Sequence, residues 1–181
     1  TLPHNGFARL GFPSTDVMKI IIPGSPGQLG ESLRRNFEST GDEVMVLTRK
    51  PARAGELAWD GKNPGAWAKE FEGADVIINL AGRTVNCRYT NENLKQMMDS
   101  RVDSTRVVGE AIRLCKKPPK LWLQMSTATI YADRYDAPND EFTGITGGNE
   151  PGVPGYWAFS VGIAKAWERE QELAKTPETR K

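Results

Sequence analysis

The sequence predicts an α/β fold in which a doubly wound parallel sheet carries helices on both faces. Three observations lead to it. Short apolar, β-branched runs alternate along the chain with helical patterns. These runs are apolar at nearly every position, as in strands that are buried on both faces. A glycine-rich loop joins the first run to the first helix. Because strand–helix–strand crossovers are right-handed, such a sheet winds in both directions from its centre.

Each predicted strand is a short apolar run that ends at a turn signal. The first, MKIII, is closed by PGSPG, the second, EVMVLT, by RKPARAG, and the fourth, DVIINLAG, is bounded by glycine. ELAW is a brief third candidate, and LWLQMS follows the breaker KKPPK. The predicted strands are therefore residues 18–22, 43–48, 56–59, 75–82 and 121–126.

The predicted helices show apolar residues at helical spacing. Leu29, Leu33 and Phe37 share one face of the first helix. The long third helix carries a stripe of Val108, Ala111, Ile112 and Cys115. Residues 133–155 are rich in Pro, Gly, Asn and Asp and are predicted to be a loop. The predicted helices are residues 28–38, 66–71, 91–115 and 156–175.

Composition excludes several classes of function. At 181 residues the chain fits one domain, and 24 Lys and Arg against 23 Asp and Glu give no basic surplus for nucleic acid. The one histidine, His4, precedes the first strand, so we expect neither a histidine-based nucleophile nor a metal site. Two cysteines, Cys87 and Cys115, provide no disulfide framework and favour a cytoplasmic location. No apolar run reaches the ~20 residues of a membrane span.

The loop IIPGSPGQLGESL is the first candidate binding site. Gly24, Gly27 and Gly30 form G-x-x-G-x-x-G between a strand and a helix, which suits a dinucleotide pyrophosphate at the helix N-terminus. Pro26 lies inside the loop and has no N–H to donate. It stiffens the turn or costs one phosphate contact. A glycine-rich turn that binds nothing is the alternative.

The end of the second strand predicts which dinucleotide binds. Arg49 follows Thr48 where an NAD site would carry Asp or Glu, and arginine suits the 2′-phosphate of NADP. Lys50 or Arg53 would assist it, and a solvated charge cluster is the alternative. Asp60, after the third strand, would meet the adenine edge or is an ordinary turn aspartate. NADP is therefore predicted over NAD.

A further set of motifs carries a family resemblance over residues 18–175. PGSPGQLG, VLTRKP, WDG, GADVIINLAGRTVNCRYT, SRVDSTRVVGEAI and STATIYADRYD resemble the NAD-dependent epimerase/dehydratase superfamily, the extended short-chain dehydrogenase/reductases. The resemblance implies an NADP-binding Rossmann domain. By matched position, the pyrophosphate and adenosine ribose would contact Gly24, Gln28, Leu29, Gly30, Thr48 and Arg49.

The same resemblance implies residues near the nicotinamide. Leu80 and Ala81 would lie along the cofactor, and Arg101 would reach it from the following helix, unless it is an exposed helix arginine. Arg83 and Arg88 are weaker candidates for binding a phosphate or a substrate anion.

Catalysis would fall to Ser126 and Thr127 at the end of the fifth strand, by the same resemblance. Capping the strand end is the alternative role for these two residues. Tyr131 is either a substitute acid or a core aromatic.

The last helix lacks the Tyr-x-x-x-Lys pair of short-chain reductases. Tyr156 and Lys165 are nine residues apart and point to opposite sides of a helix, and Ser160 stands where the lysine belongs. Instead, Trp167 is predicted to face the core, and Gly162 to let a neighbouring element approach closely. The missing pair favours cofactor binding over a named reaction.

The motifs together lead to one functional hypothesis and two alternatives. We expect residues 1–17 to be a disordered or upstream lead, and residues 18–181 an incomplete cofactor domain, because extended relatives continue into further strands and a substrate region. We predict an NADP-binding protein, oxidoreductase-like or epimerase-like, that acts on a small molecule. By analogy with extended relatives, it would form a homodimer. A non-catalytic NADP sensor or scaffold, and an inactive fragment of a longer enzyme, are the alternatives.

Overall fold

The fold is described from a computed structural model, which covers residues 17–24 and 27–181. In this part of the chain five strands form one all-parallel sheet in the order β3-β2-β1-β4-β5. The strands are β1 Lys19–Pro23, β2 Glu43–Thr48, β3 Glu56–Ala58, β4 Val76–Asn79 and β5 Leu121–Gln124. The helices are α1 Gln28–Ser39, α2 Asn91–Leu114 and α3 Gly155–Leu173, with 3-10 turns at Ala66–Phe71 and Ala128–Ile130. The predicted fold class is confirmed.

Apolar side chains on the two faces of the sheet form separate cores. On one face, Ile21, Ile77 and Trp122 pack with α2 residues such as Val108. On the other face, Ile20 and its neighbours are covered by α1. Helix α3 packs beside α2 and buries Trp167, as expected. The chain passes from β1 to β2 on one side and later returns to β4 on the other side of β1. The crevice at the carboxyl ends of β1 and β4 is therefore the switch point where such sheets bind ligands.

Several predicted details differ from the structure. Leu29 is 49% exposed, because it lies in the first turn of α1, whereas Leu33 and Phe37 are the α1 residues that reach the core. Strand β4 ends at Asn79, and the chain then leaves the sheet. The expectation for Gly162 is wrong, since an added Cβ would meet nothing within 4 Å. The close approach occurs instead at Gly109 of α2, where a Cβ would lie 2.9 Å from Ala174.

The end of the chain returns to the sheet beside β5. Arg180 forms a parallel bridge with Leu121, and its carbonyl accepts a hydrogen bond of 2.8 Å from the Trp122 N–H. Within the described ranges, no helix is both long and apolar enough to cross a membrane.

Asp75 ties together the starts of β1, β4 and β5 and predicts a pH dependence of stability. Its carboxylate accepts hydrogen bonds from the Lys19 N–H at 3.0 Å and from Lys120 Nζ at 2.7 Å. Burial by itself would raise the pKa of Asp75, but these hydrogen bonds outweigh it and hold the pKa below its usual 3.8. The stabilisation is therefore present above about pH 4 and is lost as the pH falls through the lowered pKa.

We expect Asp75→Asn to lower the free energy of unfolding by about 1 kcal/mol at pH 7, with the difference from wild type shrinking below about pH 4. Urea unfolding between pH 2.5 and 7 measures it. Asp133→Asn, at an exposed carboxylate, is the control and should change stability by less than about 0.5 kcal/mol. A difference that stays constant across this range would contradict the assignment.

Candidate functional site

The turn after β1 lies directly against the end of β4. Gly24 has φ +94°, and a Cβ added to it would lie 2.3 Å from the backbone N and Cα of Ala81. Its N–H donates to the Leu47 carbonyl at 3.0 Å, so the ends of β1, β2 and β4 meet here. Glycine is required for both the backbone angle and the close contact. Pro26, with its predicted effect on the turn, lies outside the described residues.

The N-terminus of α1 opens into free space next to this turn. Gly27 caps the helix, and among the described residues none offers it a side-chain hydrogen bond or lies within 4 Å of a Cβ added to it. The first N–H groups of an α-helix have no partner inside the helix and carry partial positive charge. Gln28, Leu29 and the buried Gly30 form this first turn. The arrangement fits a pyrophosphate, which needs close approach and N–H donors.

The end of β2 presents cations beside the same turn. Thr48 is buried, and its Oγ1 accepts a hydrogen bond of 3.4 Å from the Lys50 N–H. Arg49 is exposed and has no carboxylate partner among the described residues. Arg53, in contrast, contacts Glu31 and donates to Glu56 at 2.8 Å. Arg49 and Lys50 are therefore the cations available to a ligand at this strand end.

The carboxylate network around Arg53 is fully ionised near neutral pH. Hydrogen bonds from Arg53 and then Arg35 lower the pKa of Glu31 to about 2. A hydrogen bond from the Ala52 N–H and then one from Arg53 lower the pKa of Glu56. Arg53 thus belongs to a surface ion-pair network that joins α1 to β3.

Asp60 shapes its own turn rather than facing an open space. Its Oδ1 accepts hydrogen bonds from the N–H groups of Lys62 at 2.8 Å and Asn63 at 2.9 Å, and its Oδ2 accepts one from Asn63 Nδ2 at 2.7 Å. Hydrogen bonds from Asn63 and Lys62 lower the pKa of Asp60 to about 2. Of the two roles that the sequence left open, the structure shows the turn aspartate. A contact of Asp60 with adenine stays a prediction.

A buried polar network holds the exit of β4. Asn79 is fully buried; its Oδ1 accepts from the Ala81 N–H at 3.1 Å and its Nδ2 donates to Gln124 Oε1 at 3.0 Å. The Thr105 hydroxyl of α2 donates to the Arg101 carbonyl at 2.8 Å, and its oxygen lies 3.3 Å from Gln124 Oε1. The network therefore fixes Leu80 and Ala81 relative to both β5 and α2.

Arg101 lies at this exit too. Its Nη1 donates to the Met97 carbonyl at 3.0 Å, and its guanidinium carbon lies 5.0 Å from the centre of the Trp167 ring, a cation–π contact. A Cβ added to Gly82 would be 3.3 Å from that guanidinium carbon. Burial lowers the pKa of Arg101, which stays charged at neutral pH. The alternative of a simple exposed helix arginine is therefore wrong, and a contact of Arg101 with the cofactor stays a prediction.

The end of β5 presents the two candidate catalytic hydroxyls. The Ser126 hydroxyl donates to the Glu168 carboxylate of α3. Thr127 is exposed; its hydroxyl donates to Thr129 Oγ1 at 3.0 Å and accepts from the Thr129 N–H at 3.2 Å. Ser126 is thus tied to α3, whereas Thr127 caps the following 3-10 turn and faces solvent.

Tyr156 and Lys165 are held apart, as the nine-residue spacing predicts. Tyr156 is 63% exposed at the start of α3. Lys165 Nζ donates to the Gly147 carbonyl at 2.8 Å in the preceding loop. The Ser160 hydroxyl donates to the Tyr156 carbonyl at 2.9 Å, within the helix. The pair therefore offers no joint acid–base chemistry.

An open cleft of about 710 Å³ lies between the 3-10 turn that follows Thr127, the 133–155 loop and the start of α3. Tyr131 lines it and is only partly buried, so the core interpretation of Tyr131 is wrong. The other lining residues are Ala128, Ala132, Asp133, Asn139, Glu150, Pro151, Gly152, Val153, Pro154, Tyr156 and Trp157. Glu150 accepts a hydrogen bond of 2.5 Å from the Gly148 N–H, which stabilises the cleft wall.

Sequence reasoning missed the residues that support the site. Gln124, Thr105 and Glu168 hold its elements together, and none of them is among the predicted site residues. The signal was present in the grouping of polar residues in SRVDST, since Ser100 and Thr105 both bond to neighbouring elements. Glu168 could have been found only by knowing that α3 lies against the end of β5.

Known proteins similar to this chain are named as epimerase family proteins. The sequence profile of the NAD dependent epimerase/dehydratase family matches residues 20–151. The human epimerase family protein SDR39U1 is 28% identical over 159 residues, which cover 86% of this chain and 50% of the human protein. An epimerase family protein of Staphylococcus epidermidis is 28% identical over 130 residues, or 71% of this chain and 42% of that protein. The chain thus spans about half the length of the curated relatives it matches.

Solved structures give the same result. Human SDR39U1 (isoform 2), crystallised with NADPH, superposes with a TM-score of 0.70 and 26% identity over 85% of this chain and 48% of that chain. A nucleoside-diphosphate sugar epimerase from Corynebacterium glutamicum gives a TM-score of 0.67 and 24% identity, covering 88% and 31%. MoeE5 in complex with UDP-glucose and NAD gives 0.68 and 15%, covering 89% and 51%. The last two likenesses show the fold alone.

Proposed function

The chain belongs to the NAD-dependent epimerase/dehydratase family, and from this premise we propose that it binds NADP along the carboxyl edge of its sheet. The observation that carries the proposal is the N-terminus of α1 beside the Gly24 turn, where no described side chain hydrogen-bonds to the first N–H groups of the helix. A pyrophosphate there would meet the N–H groups of Gln28, Leu29 and Gly30 and the backbone of Gly27. The NADPH of the human relative's crystal structure supports the same ligand.

The nicotinamide half would follow the exit of β4. Leu80 and Ala81 are held there by Asn79, and the turn at Gly24 packs against them. When bound, the nicotinamide would supply or accept a hydride. Thr127, with its exposed hydroxyl, would hydrogen-bond a substrate oxygen, and Ser126 would stay oriented by Glu168. A small molecule in the neighbouring cleft would be the substrate.

Arg49 should select NADP over NAD. It is the exposed cation next to Thr48, and a guanidinium forms strong charge-assisted hydrogen bonds with a 2′-phosphate. We expect Arg49→Gln to weaken NADPH binding about 30-fold, or about 2 kcal/mol, and NADH binding by less than about twofold. Fluorescence titration of the complete chain with each nucleotide measures both affinities.

Arg113→Gln is a matched control, since Arg113 is an exposed arginine on the last turn of α2 without a carboxylate partner in the described chain. It should bind NADPH like the wild type. Equal losses for NADPH and NADH in Arg49→Gln would refute the 2′-phosphate contact. A wild-type chain that shows no saturable binding of either nucleotide would refute the proposal itself.

A non-catalytic NADP sensor or scaffold is the second candidate. The separation of Tyr156 from Lys165, and the engagement of Lys165 by Gly147, favour it. Tight NADPH binding without turnover of a panel of carbonyl compounds and nucleotide sugars would select this candidate. Turnover that is lost in Thr127→Val would select the enzyme.

A further inference from the structure

Two partly buried arginines flank Gly82 and lack carboxylate partners in the described chain. Arg83 follows Gly82 directly, and the Arg101 guanidinium lies against Gly82 from α2. Among the described arginines without an ion pair, the others are exposed. We refer to Gly82, Arg83 and Arg101 as the arginine corner.

Both guanidinium groups lie on one face of α2. Arg83 Nη1 approaches the Asn93 carbonyl at 3.5 Å, and Arg101 Nη1 donates to the Met97 carbonyl at 3.0 Å. These carbonyls belong to residues four apart, so they lie roughly 6 Å from each other along the helix. Two forked cations whose Nη1 atoms lie at carbonyls about one helical turn apart can bind one small anion between them.

The backbone holds Arg83 in place rather than leaving it on a free loop. Its N–H donates to Ser100 Oγ at 2.9 Å, one residue before Arg101. Asn93 also donates through Nδ2 to the Arg88 carbonyl at 2.7 Å, which fixes the other end of this loop. The orientation of the corner is therefore set before any ligand arrives.

The surrounding charges leave the corner positive. Residues 76–91 contain two arginines and no Asp or Glu. On the first three turns of α2, Glu92 is held by Gln96, and Asp99 by Lys95. Arg83 also lies near the N-terminus of α2, where the helix dipole disfavours a cation. Partly desolvated guanidinium groups in such a place are costly unless an anion joins them.

We propose that Arg83 and Arg101 bind an anionic group of the substrate, a carboxylate or a phosphate monoester, at the arginine corner. This inference rests on the proposed function, because the corner follows the Leu80–Ala81 segment assigned to the nicotinamide half. Arg101, which the family resemblance assigns to the cofactor, would then bind the substrate instead. The substrate is then a small acid or a phosphate ester whose reacting carbon lies toward Thr127.

Anion binding by the complete, ¹⁵N-arginine-labelled chain tests the proposal. Inorganic phosphate and malonate are titrated separately, with and without saturating NADPH, while the side-chain Nε–H signals are recorded. We expect at least one anion to shift the Arg83 and Arg101 signals in both states. The anion that binds more tightly identifies the phosphate or the carboxylate as the preferred group.

Variants locate the binding. Arg83→Gln should weaken the anion about tenfold and leave the NADPH affinity unchanged, and Arg113→Gln should change the anion affinity by less than about twofold. Arg83→Lys keeps the charge but loses the fork, so it should fall between wild type and Arg83→Gln. Thermal unfolding of each variant identifies any effect that comes from loss of the fold.

Three outcomes would overturn the proposal. In the first, neither anion shifts the Arg83 and Arg101 signals. In the second, Arg83→Gln binds the anion like the wild type. In the third, saturating NADPH abolishes anion binding because its own phosphates fill the corner. The anion titration without nucleotide does not depend on NADPH binding. Failure of NADPH to bind would therefore refute the proposed cofactor and not the anion site.

Discussion

Gly24→Ala should destabilise the protein by about 4 kcal/mol and abolish NADPH binding. An alanine at φ +94° is strained, and its Cβ would lie 2.3 Å from the backbone of Ala81, so the turn or the exit of β4 must move. Because Ala81 is held by Asn79, the strain cannot be relieved by a side-chain rotation. Urea unfolding and NADPH fluorescence titration measure the two effects.

Gly27→Ala is the matched control for this change. Gly27 has φ −112°, which alanine adopts readily, and an added Cβ has free space. Its stability should fall by less than about 1 kcal/mol. Its NADPH affinity should fall about tenfold, because the methyl group would occupy the space assigned to the pyrophosphate. The two glycines would thus separate a structural role from a binding role.

A small effect of Gly24→Ala on stability would show that the turn can move away from Ala81. Unchanged NADPH affinity in Gly27→Ala would show that the open space in front of α1 does not hold the pyrophosphate. These results are independent, since the first concerns packing and the second concerns the ligand.

The strands and helices could be predicted because their signals are local. Apolar runs such as MKIII and the stripe of Val108, Ala111 and Ile112 predict burial directly, and the three isoleucines of the run and all three stripe residues are buried. The nine-residue spacing of Tyr156 and Lys165 also suffices, because helix geometry alone sets their directions. The exposure of Leu29 could not be predicted, because a helical stripe does not show which turn extends beyond the sheet.

The candidate site depends on contacts between distant parts of the chain, which local patterns do not report. Ser126 meets Glu168 across 42 positions, and Asn79 meets Gln124 across 45. The glycine spacing predicted the turn at Gly24 but not its contact with Ala81. The binding loop can therefore be predicted from one segment of the sequence, whereas the residues that pack against it are known only from the folded structure.

Asn79→Leu should lower the free energy of unfolding by about 3 kcal/mol. Leucine has the same branched outline with a larger volume, and it leaves the buried Ala81 N–H without its acceptor and removes the donor to Gln124 Oε1. NADPH affinity should also fall, about tenfold, since Leu80 and Ala81 would no longer be fixed beneath the nicotinamide.

Asn36→Leu, on the exposed surface of α1, is the matched control and should change stability by less than about 0.5 kcal/mol. If Asn79→Leu proves as stable as the control, the buried network is not what holds β4 to β5. If instead stability falls while NADPH still binds normally, the exit of β4 does not form the cofactor site.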